Sequence, residues 1–251
     1  MSSTTNSTTA DSAPASASAA ASDSASESTS RSTKTPVFRR PAVMLLVTAL
    51  TGGAVVAGSL TTTASAAPTR LRAEIVKNAT VEKDNPKHNR EKRNNCNFYS
   101  GYWKTSGDDI CSTSTGGVKW RSNNWCADFA RHAWKKSGAK TKKIDPWAGS
   151  FYRAAKAGTG KWHKRGSYVP KPGDAVLYDW DGSKPSLGNN GWDIDHVGIV
   201  VKYRKSGKKL TTIEGNTTKT SSGSGKEGVF KRARSNTRRG DVVGYVSPER
   251  R

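Results

Sequence analysis

The chain has 251 residues and a formal net charge of +22, from 42 Lys and Arg against 20 Asp and Glu, with 33% hydrophobic residues and three cysteines. A single stretch approaches the roughly 20 apolar residues that a membrane-spanning helix needs, which excludes a polytopic membrane protein. Three cysteines are too few for a disulfide-dense small protein. All eight Trp lie after residue 100, so we expect the packed domain to lie in the second half of the chain.

A secretory leader rich in Ser, Thr and Ala is predicted for residues 1–66. Arg39-Arg40 precede an apolar stretch at residues 41–60, and the small-residue site Ala64-Ser65-Ala66 follows. This is the order of a signal peptide, so we expect cleavage after Ala66. An uncleaved anchor is the alternative, and the arginine pair also permits twin-arginine export. The protein is expected to leave the cytoplasm in either case, and after cleavage it would contact the membrane only during export.

The chain that follows the leader is strongly basic. Residues 1–66 hold four basic and three acidic residues, so 38 basic and 17 acidic residues would remain, a net charge of +21. This charge favours anionic wall polymers as partners of an exported protein, and a surface that merely maintains solubility is the other interpretation. Residues 67–94 are charged and lack Phe, Trp and Tyr. We predict a basic linker or wall-associating arm there, with a short helix over residues 71–77.

The domain predicted for residues 95–251 mixes helices and strands. Apolar residues at helical spacing predict a helix over residues 125–136, capped by Asn123 or Asn124, and a second helix over residues 150–157. Runs with alternating or β-branched residues predict strands over residues 175–180, 195–203, 210–214 and 241–246. A leading helix followed by an antiparallel meander indicates the α+β class.

The three cysteines predict one disulfide and one remaining thiol. Cys96, Cys111 and Cys126 are spaced fifteen residues apart, which matches no structural zinc site. If Cys126 is the free one, Cys96 and Cys111 would pair. Cys126 would then lie in the first turn of the predicted helix, where unpaired N–H groups and the helix dipole favour a nucleophilic thiolate. A buried cysteine that packs as a small apolar residue is the alternative.

His196 is the predicted general base among the four histidines. His132 follows Cys126 by six residues on the same helix, about 120° away from the thiol around the helix axis. His88 and His163 lie in charged segments, where we expect them to be solvated. His196 instead opens the clearest strand of the sequence.

A hairpin register brings two polar residues to the side of His196. If the strands on either side of Ser206 form a hairpin centred on it, His196 faces Asn216 and Gly198 faces Glu214. His196, Glu214 and Asn216 would then share one face of the sheet, beside open space at Gly198. A slip of one residue would move His196 off this face, so the prediction depends on the register.

Four short fragments carry a family resemblance, and they are residues 124–130 (NWCADFA), 172–176 (PGDAV), 195–200 (DHVGIV) and 213–216 (IEGN). In this order they resemble the CHAP domain, the cysteine, histidine-dependent amidohydrolase/peptidase family, over about residues 96–247. The resemblance implies a papain-like α+β fold whose N-terminal helix carries the nucleophile and packs on an antiparallel sheet. It also implies Cys126 as nucleophile, His196 as base, and Glu214 and Asn216 as the groups that orient and polarise the base.

Two features depart from the pattern of this family. No separate wall-binding repeat module is found, and the basic residues 67–94 are a possible substitute. Some members bind calcium through closely spaced acidic residues before the nucleophile, but Asp108-Asp109 is too sparse for such a site, and Asp179 and Asp181 lie elsewhere. We therefore predict no metal and no cofactor.

The sequence as a whole predicts a secreted, cell-wall-associated monomer that hydrolyses peptidoglycan through a thioester acyl-enzyme. The scissile bond would be the muramoyl-alanine amide or a peptide bond of the stem or cross-bridge. Trp125, Trp180 and Trp192 are predicted to line the substrate groove, with core packing as the alternative. No nucleic-acid-binding motif is found. A non-catalytic cationic binder of wall polymers and an acyltransferase of the same fold are the alternative functions.

Overall fold

The computed structural model describes residues 66–107, 110–181, 184–220, 225–237 and 240–251. The leader predicted for residues 1–66, with its apolar stretch and nearly all of its cleavage site, lies outside the described residues, and so does Asp109 with its neighbour Asp108. Within the described ranges, no helix combines the length and the apolar character that crossing a membrane requires.

The described residues form four α-helices: α1 (Ala66–Asp84), α2 (Phe98–Trp103), α3 (Cys126–Lys136) and α4 (Ser150–Lys156). The predictions of α3 and α4 are confirmed to within one residue at each end. The predicted cap is wrong, because the residue that precedes α3 is Trp125 and its side chain makes no capping hydrogen bond. The chain turns away after α3 at Gly138, which has a φ of 83°.

One six-stranded antiparallel sheet forms the other half of the fold, and its strand order is β5-β10-β6-β7-β8-β9. Antiparallel pairing together with the helices confirms the α+β class. Two strands of this sheet, β5 and β9, were not predicted. The sheet consists of β5 (Lys161–Lys164), β6 (Ala175–Tyr178), β7 (His196–Arg204), β8 (Lys209–Thr217), β9 (Gly228–Ser235) and β10 (Val242–Ser247), while β1 (Cys96–Asn97) pairs with β4 (Arg121–Ser122) and β2 (Ser114–Thr115) with β3 (Val118–Lys119).

At the end of the β7–β8 hairpin that lies away from the turn, the register is the one predicted. Ile199 pairs with Ile213, and Val200 pairs with Thr212. The pairing shifts by one residue nearer the turn, at a bulge, and the turn itself includes Ser206. Because the shift lies on the turn side, it leaves the register beside the predicted site unchanged.

Apolar residues pack on both faces of the sheet. Along β6, Ala175 and Leu177 belong to the cluster that includes the helices, whereas Val176 and Tyr178 belong to a second cluster. Successive residues of a strand point to opposite faces, so the two clusters lie on opposite sides of the sheet. The helices therefore cover one face, and the other face has an apolar core of its own.

Helix α1 corrects the prediction for the segment after the leader. Residues 67–94 were predicted to be a linker with at most a short helix, but residues 67–84 belong to a helix that packs against α3. Leu71, Ile75 and Ala79 lie one turn apart and are buried in the core. The Arg72 guanidinium forms an ion pair with the buried Asp174 carboxylate at 2.6 Å. The narrow apolar stripe of α1 is easily missed among its many charged residues.

A substitution in α1 tests whether this helix is part of the folded domain. We expect Ile75→Ala to lower the free energy of unfolding by about 2–4 kcal/mol, because it opens a cavity in the core. Urea denaturation measures the change. Lys77→Ala is the matched control on the exposed side of α1 and should change stability by less than about 0.5 kcal/mol. If both substitutions change the free energy of unfolding by the same small amount, α1 does not pack on the domain core.

Candidate active site

Cys126 is the one free cysteine of the chain and the first residue of α3. The other two cysteines, Cys96 and Cys111, form a disulfide with Cα atoms 5.7 Å apart, which confirms the pairing expected if Cys126 is free. The Cys126 side chain is mostly buried but contributes to the wall of a surface cleft of about 520 Å³. Its position in the first turn places it beside backbone N–H groups that have no partner within the helix.

His196 is buried beside Cys126 at the start of β7. One ring nitrogen, Nε2, lies 3.2 Å from Oε2 of Glu214, which leaves Nδ1 for the hydrogen bond with Cys126. Burial by itself would lower the pKa of His196, but the hydrogen bonds and charges of Cys126 and Glu214 raise it to about 9. The imidazole therefore carries a proton at neutral pH.

Glu214 is the most heavily hydrogen-bonded group of the site and is fully buried. Its carboxylate accepts hydrogen bonds from the Tyr178 hydroxyl at 3.2 Å and the Thr212 hydroxyl at 2.5 Å. Arg234 donates to both carboxylate oxygens through Nε and Nη2. Burial alone would raise the pKa of Glu214, but the hydrogen bonds from Arg234 and His196 hold it well below its usual range. Glu214 therefore remains ionised in the interior.

Arg234 is a functional residue that sequence reasoning missed. It lies on β9, a strand rich in Lys and Arg that was not predicted, where it pairs with Leu210 of β8. Alternation along a predicted β9 would have placed Arg232 and Arg234 on the face of Glu214, because Arg232 pairs with Thr212. Arg234 was missed because β9 was not predicted as a strand.

Asn216 contacts the nucleophile's helix and not His196. Its backbone adopts a φ of 53°, and the pairing of β8 with β9 shifts between Glu214 and Thr217. The side-chain Oδ1 accepts a hydrogen bond from the backbone N–H of Trp125 at 2.8 Å, and Nδ2 donates to Glu227. Asn216 therefore fixes the residue before Cys126, a role different from the predicted orientation of the base.

The three tryptophans predicted to line the groove have different positions. Trp125 is buried and stacks on Tyr99, so its predicted contact with substrate is wrong and the core alternative holds. Trp180 is 45% exposed and stacks on the His196 ring with centroids 4.5 Å apart. Trp192 is 55% exposed and meets Trp147, which was not predicted, edge to face at 5.0 Å.

Two cavities lie beside the candidate catalytic residues. The 520 Å³ cleft has Cys126, Trp147 and Trp192 in its walls. A second cavity of about 250 Å³ is lined by Trp180, Asn216, Thr217, Thr218, Thr220, Glu227, Arg232 and Arg234. Each cavity therefore has at least one exposed tryptophan in its wall.

Three carboxylates near the site lie close enough to share a cation. Asp179, Asp181 and Asp195 each offer an oxygen atom within 4.8 Å of the others. Backbone N–H groups already donate to two of them: Trp180 N–H to Asp195 at 2.6 Å, and Ser186 N–H to Asp179 at 2.7 Å. The sequence analysis, which predicted no metal, did not group these three residues.

Comparison with protein-family models gives one match, which covers residues 117–216 and contains Cys126, His196, Glu214 and Asn216. The model that matches is that of the CHAP domain. The resemblance predicted from the sequence is thereby confirmed. CHAP domains are generally hydrolases, amidases and peptidases, and the family acts on peptidoglycan. Comparison with curated proteins and with solved structures gives no match. Arg234 lies beyond the matched part of the CHAP domain.

The charge of His196 can be tested by NMR titration of the imidazole. We expect His196 to titrate near pH 9, and the pKa to fall in Cys126→Ser, because that variant loses the interactions with the Cys126 sulfur that help to raise it. His163, whose pKa is lowered below 6.5 chiefly by burial, is the internal control. Since folding raises the pKa of His196 from 6.5, the resulting stabilisation is complete below pH 6.5 and disappears as the pH rises through about 9. A pKa of His196 near 6.5 in the wild type would contradict the ion-pair arrangement.

Removal of Arg234 tests its support of Glu214. We expect Arg234→Gln to lower the free energy of unfolding by about 3–5 kcal/mol, because a buried carboxylate loses its charged partner. The pKa of His196 should also move back toward 6.5. Arg234→Lys keeps the charge without the two-pronged geometry and should lie between the wild type and Arg234→Gln. An unchanged His196 titration in Arg234→Gln would show that Arg234 does not act through Glu214.

Proposed function

We propose that this protein is a secreted cysteine amidohydrolase or endopeptidase that cleaves amide bonds of peptidoglycan. The observation that carries the proposal is the contact of the free thiol of Cys126 with His196, whose Nε2 meets the buried Glu214 carboxylate. A nucleophile, a base and a group that orients the base form the arrangement used in nucleophilic acyl transfer. The CHAP match favours an amide as the acyl donor.

In the proposed reaction, the Cys126 thiolate attacks the carbonyl carbon of the amide. The C–N bond breaks as His196 gives its proton to the departing amine, and a thioester joins Cys126 to the acyl group. Water then gives a proton to His196 and attacks the thioester, which releases the carboxylic acid and regenerates the thiolate. The backbone N–H of Cys126 is the proposed donor to the oxyanion, because it lies in the first turn of α3.

The finer features of the proposal rest on residues around this centre. We propose a papain-like arrangement, in which the helix that begins at Cys126 packs on the sheet that holds His196. Exposed Trp180 and Trp192 are proposed to contact the substrate, and their exposure beside the catalytic residues supports this role. The scissile bond is the muramoyl-alanine amide or a peptide bond in the stem or the cross-bridge.

Export and wall association complete the proposal. The basic, apolar and small-residue segments within residues 1–66 support a secretory leader. The charge of +21 that remains after its removal supports attraction to anionic wall polymers. The same charge favours the second candidate function, a non-catalytic cationic binder. Such a binder would not require the buried Glu214 and its four hydrogen-bonding side chains, which is why we place hydrolysis first.

Incubation with isolated peptidoglycan distinguishes the two functions. Purified wild-type protein and Cys126→Ser would each be incubated with the wall material, and released fragments would be read by mass spectrometry. We expect fragments from the wild type alone, because serine lacks a comparably acidic and nucleophilic group. The new termini identify the cleaved bond.

The controls separate a failed reaction from a different function. Cys126→Ser should remain folded, because the substitution changes a single side-chain atom in the first turn of α3, and circular dichroism checks this. If neither protein releases fragments but both bind walls in a salt-dependent manner, the cationic-binder function replaces hydrolysis. Release of fragments by Cys126→Ser at the wild-type rate would exclude the cysteine mechanism.

A further inference from the structure

The 250 Å³ cavity beside Trp180 contains a buried cation that the mechanism does not use. Arg232 lines this cavity and is only 9% exposed. Its Nη1 donates a hydrogen bond to the backbone carbonyl of Thr218 at 2.7 Å, and its buried Nε has no hydrogen-bond partner. Within the described part of the chain, no ion pair joins Arg232 to a carboxylate, in contrast to Arg234. An arginine in this environment has donors left for a ligand.

Among the buried groups around Arg232, positive charges outnumber carboxylates. Arg232 and Arg234 lie on the same face of β9, and the one fully buried carboxylate beside them, Glu214, is bound by Arg234 and His196. Burial and the like charge of Arg234 both lower the pKa of Arg232, whereas Glu214 partly offsets them. A buried charge without a partner is costly, so this position favours an anion.

The other cavity residues place such an anion next to the reacting bond. Trp180 lines the cavity and stacks on His196, and Asn216 lines it and binds the residue before Cys126. The carboxylate of Glu227 also lines the cavity, where it accepts a hydrogen bond from Asn216 and shares another with Glu91. A ligand in this cavity would therefore lie beside the side chains that contact His196 and Trp125.

We propose that Arg232 binds a free carboxylate of the substrate peptide in this cavity and so makes the enzyme select acidic over amidated peptides. The inference rests on the proposed function, because it assigns a substrate group to the same site. It adds to that function the chemical group of the substrate that the 250 Å³ cavity recognises. A carboxylate offers the two acceptor oxygens that suit a guanidinium, whereas a carboxamide offers one acceptor and no charge.

A matched pair of substrates tests the inference. Purified muropeptides with free carboxyl groups would be compared with the same muropeptides after carbodiimide and ammonia have converted these groups into carboxamides. We expect the wild type to have a kcat/KM roughly 10- to 100-fold higher on the carboxylate form. Most of this preference should persist at 0.5 M salt, because a buried pair is screened much less than exposed charges.

Substitutions assign the preference to Arg232. Arg232→Gln should retain cleavage of the carboxamide form and lose most of the preference, and Arg232→Lys should keep part of it. Lys231→Gln is the matched control: it removes the same charge from the adjacent, exposed residue of β9, and it should keep the full preference. Urea denaturation shows whether each variant is folded.

The outcomes separate this inference from the proposed function. Cleavage of both substrates by the wild type without a preference would overturn the carboxylate subsite and leave hydrolysis intact. A preference that vanishes at high salt, or one that Arg232→Gln retains, would also overturn it. If the wild type cleaves neither substrate, nor whole peptidoglycan, the proposed function fails and the inference fails with it.

Discussion

A buried carboxylate, Glu214, is the constraint on which the rest of the active site depends. An ionised carboxylate in the interior is stable only if charged and polar partners surround it. Here those partners come from four strands of one sheet: Tyr178 of β6, His196 of β7, Thr212 of β8 and Arg234 of β9. The sheet register is therefore fixed by electrostatics as well as by apolar packing. A slip of any of these strands would leave a charge without its partner.

Cys126 is held next to this network through a separate connection. Helix α3 has no side-chain cap of its own, and the sheet supplies the first contact through the hydrogen bond from the Trp125 backbone to Asn216. The absence of a side chain at Gly215 allows the sheet to approach closely, because a Cβ there would lie 2.6 Å from Cβ of Phe129. The helix start and the strand end are thus held at a fixed separation. This separation brings the thiol and the imidazole into contact.

The residues of the candidate site were partly predictable from the sequence because their signals are local. Cys126 begins a helix with clear periodicity, and His196 and Glu214 lie on a hairpin whose pairing on their side of the bulge is the predicted one. Arg234 could not be found in this way, because the segment Lys231-Arg232-Ala233-Arg234 reads as solvated surface until its neighbouring strand is known. Most of helix α1 was missed for a similar reason, since tertiary packing of three small or medium apolar residues outweighs its charged composition. Trp125 and Asn216 were placed correctly along the chain, but their contacts depend on the junction between α3 and β8, which no local pattern encodes.

Gly198 shows that the sheet tolerates no larger side chain beside Glu214. A Cβ at this position would lie 2.6 Å from Cγ of Glu214, closer than real contacts allow. Even alanine would push the carboxylate away from the imidazole, although Gly198 takes no part in the chemistry. In related proteins, a larger residue can therefore replace Gly198 only if Glu214 is also replaced or displaced. The glycine and the glutamate are expected to persist or disappear together, so their joint presence can separate active members from inactive relatives that retain only the fold.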